Sequence, residues 1–124
     1  MYKALIDTQS INDPSWLRTL EVVGEYDEEW PGEEIPVLHI LKVRIADGAL
    51  ESIVGLLSEK IEAGWFAVVW NDELILVVLR GRIFKLTYPE LLLSERWNEL
   101  VSYGQANDID QKYFLNMLTV MKKW

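Results

Sequence analysis

Apolar and polar residues alternate along VLHILKVRI at 37–45. Val37, His39, Leu41, Val43 and Ile45 fall on one side, and Leu38, Ile40, Lys42 and Arg44 on the other. A period of two predicts a strand, half exposed towards Lys42 and Arg44. The period changes after Asp47-Gly48. In ALESIVGLLSEKIEAG, Leu50, Ile53, Val54, Leu57 and Ile61 recur at steps of three and four. That spacing lays one apolar stripe along a helix, with Gly64 as its expected stop and Gly55 as a point of close packing. WFAVVWNDELILVVLRGRIFKL at 65–86 then predicts a three-stranded antiparallel meander, turning at Asn71-Asp72 and at Arg80-Gly81. Its first two strands are apolar on both faces: Trp65, Ala67 and Val69 oppose Phe66, Val68 and Trp70. Such strands need cover on both sides, from helices on each face or from a second copy of the chain.

The flanking segments are shorter. YKALI at 2–6 predicts a strand, Asp13 is the expected N-cap of a short helix opened by Pro14, and LEVVGEY at 20–26 is β-prone although Gly24 weakens it. Beyond the meander, Thr87-x-x-Glu90 with Pro89 matches a capping box, and Ser94 offers a second helix start. Trp97, Leu100 and Val101 form a modest stripe, stopped at Tyr103-Gly104. QKYFLNMLTVMKKW then places Tyr113, Phe114, Met117, Leu118 and Met121 on one side of a last helix. The element order implies a single α+β domain over 1–124. It has a mixed or antiparallel sheet, a β-α-β-β-β core (a ferredoxin-like plait or a related sandwich) and C-terminal helices. If 37–45 and 65–71 pair in parallel, their crossover is right-handed.

The run GWFAVVWNDELILVVLRGRIF, followed by Trp97 and Tyr103-Gly104, resembles a recurring pattern in small uncharacterised prokaryotic proteins. The resemblance covers about the C-terminal half. Its motif is one of hairpin aromatics, turn residues and a helix stop, and it implies no activity and no site residue.

Composition narrows the function classes. The 124 residues include no cysteine, which removes disulfides, thiolate metal sites and cysteine nucleophiles, and favours a reducing compartment. No secretory leader is read in MYKALIDTQS. The longest aliphatic run, LILVVL at 74–79, is too short to span a membrane, so a cytoplasmic location is expected. The net charge of −8 is uneven: residues 1–36 carry nine acidic and two basic side chains, and the remainder eleven and ten. That distribution argues against nucleic acid and favours a partner with a basic surface, or solubility alone.

The acidic charge concentrates in GEYDEEWPGEEIP at 24–36. Six of the ten residues from Glu25 to Glu34 are acidic and none is basic. One reading is a docking surface made of Glu25, Tyr26, Asp27, Glu28, Glu29, Trp30, Glu33 and Glu34, with Tyr26 and Trp30 as aromatic anchors. A divalent-cation site is a second, although the stretch lacks the alternation of a calcium loop. A solvated loop whose aromatics fold back is the third. His39, the only histidine, sits in a strand pattern that suits a core or edge residue better than a general base. No serine has a G-x-S-x-G context, and neither G-x-G-x-x-G nor a P-loop occurs. Arg80, Arg82 and Lys85 straddle a turn, where they could meet an anion or simply mark an exposed tip. Of six tryptophans, Trp65 and Trp70 are expected in the core, while Trp16, Trp30, Trp97 and Trp124 are less constrained.

These observations lead to a non-enzymatic interaction domain that binds a basic protein or itself through its acidic N-terminal surface, with no cofactor. The alternative, from a different class, is a small-ligand sensor or minor enzyme with an aromatic pocket between sheet and helices.

Overall fold

YKALID forms β1 (Tyr2–Asp7), and its last four residues are buried because the strand lies inside the sheet. In the computed structural model, which describes residues 1–87 and 94–124, six strands form one open sheet in the order β2-β3-β1-β4-β5-β6. The others are β2 (Glu21–Glu29), β3 (Val37–Ile45), β4 (Ala67–Trp70), β5 (Leu74–Leu79) and β6 (Arg82–Thr87). All neighbouring strands are antiparallel. The helices are a single turn α1 (Pro14–Leu17), α2 (Leu50–Lys60), α3 (Glu95–Ala106) and α4 (Gln111–Met121). Of the expected capping box at Thr87-x-x-Glu90, Thr87 ends β6, and Pro89 and Glu90 lie outside the described residues.

The fold is α+β with C-terminal helices, and the β-α-β-β-β core is present as β3-α2-β4-β5-β6. β3 and β4 run the same way but do not pair. β1 stands between them, with Leu5 opposite Lys42 on one side and Val68 on the other. Strand alternation then divides the core in two. Ala4, Ile6, Val43, Ala67 and Val69 pack with Val54 and Leu57 of α2. Leu5, Ile40, Val68, Trp70 and Phe84 pack with Leu100 of α3 and Phe114 and Met117 of α4. The two-sided cover that β4 and β5 require is thus supplied by helices of the same chain.

Several boundaries differ from the sequence pattern for identifiable reasons. Ile61 is fully buried but is no longer helical. It bridges Ile11, and Glu62 N–H donates to Ser10 O at 2.7 Å, so long-range bonds replace the next helical turn. Gly55 is exposed and meets nothing within 4 Å, so it marks no close approach. The β4–β5 turn is displaced by one residue. Asn71 N–H bonds Leu74 O at 3.1 Å, and the Asn71 carboxamide accepts from the N–H groups of Glu73 and Leu74, each at 2.9 Å. Side-chain capping makes that turn without a positive φ. The Arg80-Gly81 turn is where expected, with Gly81 at φ 72°. α3 passes through Tyr103-Gly104 to Ala106 and is closed by Asp108 at φ 62°.

Candidate functional site

The acidic stretch is a strand for half its length. β2 runs to Glu29 and pairs with β3 along its length apart from a bulge at Val23, and only Trp30 to Pro36 form the connection, which Trp30 N–H closes by donating to Pro36 O at 2.7 Å. Pairing carries the strand through its own like charges because β3 answers them. Asp27 lies opposite His39, with Oδ1 at 2.8 Å from Nδ1. Glu25 Oε2 is 3.5 Å from His39 Nε2, and Arg44 reaches Glu21 at 2.8 Å. The Asp27 hydrogen bond, helped by Glu25, raises the His39 pKa above 6.5.

Strand alternation divides the eight sequence-selected residues. Glu25, Asp27 and Glu29 are exposed, on the side of His39. Tyr26, Glu28 and Trp30 turn the other way and are half-buried. Glu33 swings across to α4, where its carboxylate accepts from Lys112 Nζ, while Glu34 stays exposed. The stretch is therefore not one continuous acidic surface. Among the described residues, no three carboxylates or His side chains converge to hold a metal.

The inward set opens onto a cavity of about 350 Å³ at one end of the sheet, between the sheet and α4. Its floor is made by Leu5, Leu38, Ile40 and Val68, and its rings are Tyr26, Trp30, Trp65, Phe66 and Tyr113. Trp30 and Tyr113 pack with centroids 4.7 Å apart, and Phe66 is held at the same distance by Phe114. Asp7, Glu28, Glu33, Glu34 and Asp108 also line it, and no Lys or Arg does so among the described residues. Lys112 packs over the Trp30 and Tyr113 rings at 5.8 and 5.2 Å, and Lys42 over Tyr26 at 5.6 Å.

Asp7 was not selected from the sequence, and it is the most unusual group here. It ends β1 with 5% exposure, and its Oδ1 caps the following turn by accepting from Gln9 N–H at 2.7 Å. Its Oδ2 is buried with no hydrogen-bond partner among the described residues. Burial lifts its pKa from 3.8 to about 6 against the lowering effect of the Gln9 bond, and nearby Glu28 adds to the rise. Glu28 itself accepts from Trp30 Nε1–H at 2.7 Å. Desolvation also raises the Tyr26 hydroxyl pKa. The available signal was the alternation Leu5-x-Asp7, which sets a carboxylate on the apolar face of a strand, and Tyr26-x-Glu28-x-Trp30, which repeats it.

The other candidates are occupied in packing. Arg80 Nη1–H donates to Ile61 O at 3.2 Å, and Arg82 stacks over Phe84 and Tyr103 at 4.6 and 5.0 Å. Trp70 and Trp97 are buried, Trp65 is partly so against the α2 side of the core, and Trp124 meets Trp70 edge-on at 5.4 Å.

No family model matches the sequence, and no curated protein or solved structure is significantly similar to it. No helix among the described residues is long and apolar enough to cross a membrane.

Proposed function

We propose that the chain is a small-ligand binding domain whose site is the cavity between the sheet end and α4. The observation that carries this reading is the pairing of a half-open, aromatic, ligand-sized cavity with a desolvated carboxyl group, Asp7. A volume in the low hundreds of Å³, apolar walls and a few polar groups are the usual features of small-molecule sites, and perturbed titration adds to the case. The test is a screen of neutral aromatic fragments such as indole and phenol by amide chemical-shift mapping. Perturbations should cluster at Tyr26, Phe66 and Tyr113. Shifts scattered over the surface, or none, would remove the reading.

A second reading is favoured by the position of β2. It is an outer strand of the sheet, it carries Glu21, Glu25, Asp27, Glu28 and Glu29, and Val22 and Val23 are exposed beside them. A basic extended segment of a partner protein could add to that edge through main-chain bonds steered by charge. Pairing β2 with another copy of itself would set like charges together. Binding along this edge should weaken strongly with salt, and salt-independent capture of a partner would count against it.

A further inference from the structure

We propose that the cavity selects an organic cation, an amine or quaternary ammonium carried on an apolar, ring-sized body. The inference rests on the small-ligand reading and specifies its ligand class. Five carboxyl-bearing side chains line the cavity, and no Lys or Arg lines it among the described residues; Lys112 answers Glu33 from outside, and the other four carboxyls leave a field that favours positive charge. Asp7 supplies an anchor: Oδ1 is held by Gln9, while Oδ2 has no partner among the described residues and is shut off from water. A buried carboxylate left this way is destabilising, and a cation within several Å offsets that penalty through space without needing direct contact.

The rings give the second half of the recognition. Tyr26, Trp30 and Tyr113 already receive ammonium groups from Lys42 and Lys112 at 5.2 to 5.8 Å, within the range where a ring face attracts a cation. Those contacts come from side chains outside the lining set, so the same rings can present a face to a cation inside the cavity. An apolar body would rest on Leu38, Ile40 and Val68. A small anion would meet Asp7 and Glu28 with no Lys or Arg among the described lining residues to balance them. A bare inorganic cation would leave the apolar walls unused.

Three ring-matched probes test this by calorimetric titration near neutral pH: 2-phenylethylammonium, 2-phenylethanol and phenylacetate. The cation should bind at least about tenfold more tightly than the alcohol, and phenylacetate more weakly than either. In Asp7→Asn the cation should lose about tenfold in affinity, and the alcohol should be unaffected. Glu28→Gln should weaken the cation selectively as well. Equal affinities for cation and alcohol in the wild type would overturn cation selection while leaving the cavity as a ligand site. Failure of all three probes to bind would overturn the cavity reading and this inference together. The ranking of probes on the wild type needs no variant, so a folding defect in Asp7→Asn would not hide the answer.

Discussion

At the residue scale, Asp7 and His39 are two titrating groups with opposite histories. Asp7 is an acid whose folded pKa, about 6, lies above the ordinary 3.8 because burial penalises its charge. Its favourable contribution is complete below 3.8, is lost as pH rises through about 6, and does not change further above that. Asp7→Asn keeps an oxygen for Gln9 but carries no charge. It should match the wild type near pH 3.8 and exceed it above pH 6, by about 1–3 kcal/mol in urea denaturation. A gain of the same size at both pH values would separate the effect from ionisation. A buried carboxyl group held above its ordinary range is the kind of feature found at functional sites. His39 titrates at the surface, raised by Asp27. Its charged pair is present below pH 6.5 and lost as pH passes the folded value. In Asp27→Asn the NMR titration midpoint of His39 should move down towards 6.5.

At the element scale, β2 shows why a local reading stops short. Six acids in ten residues look like a loop, yet four of them, Glu25, Asp27, Glu28 and Glu29, sit in an edge strand, which tolerates them because β3 presents His39 to Glu25 and Asp27, and Arg44 to Glu21 further along. α3 makes the complementary point. Gly104 looks like a helix stop but lies within the helix, where a Cβ would come 2.6 Å from Phe114 Cε2 and 3.1 Å from Ile109 O. Its carbonyl also accepts from Ile109 N–H at 2.7 Å, so this is the point where α4 is folded back against α3. Gly104→Ala should destabilise by about 1–3 kcal/mol, measured by urea denaturation, despite the better helix propensity of alanine. A stabilised variant would mean that Phe114 can swing away freely.

At the scale of the whole molecule, the cavity exists because four distant segments meet at one end of the sheet: β1 near Asp7, the β2–β3 connection, the entry to β4 at Trp65 and Phe66, and α4 with the turn before it. The connection is strapped to α4 by the Glu33–Lys112 ion pair and by Trp30 against Tyr113. An exposed ion pair contributes little to global stability, but it can hold a segment in place. Lys112→Ala should therefore leave the unfolding midpoint nearly unchanged while amide exchange quickens across 32–35. Unchanged exchange there would mean that the aromatic contact alone holds the strap.

Local pattern determined most of the elements in this chain: the β3 alternation, the α2 stripe, the meander over 65–86 and its need for cover on both faces, and the apolar side of α4. These follow from nearest-neighbour periodicity, which a sequence carries directly. Pairing was not legible. The insertion of β1 between β3 and β4 is a long-range choice, and it alone turns a modest YKALID into the centre of the sheet and buries Asp7. The candidate site was legible in part. Tyr26, Glu28 and Trp30 stood out by charge and aromaticity, but alternation faces them away from Glu25, Asp27 and Glu29, and only the register with β3 says which set turns inward. The charge of this protein is written in its residues; the cavity in which that charge acts is made by packing between residues as far apart as Asp7 and Tyr113.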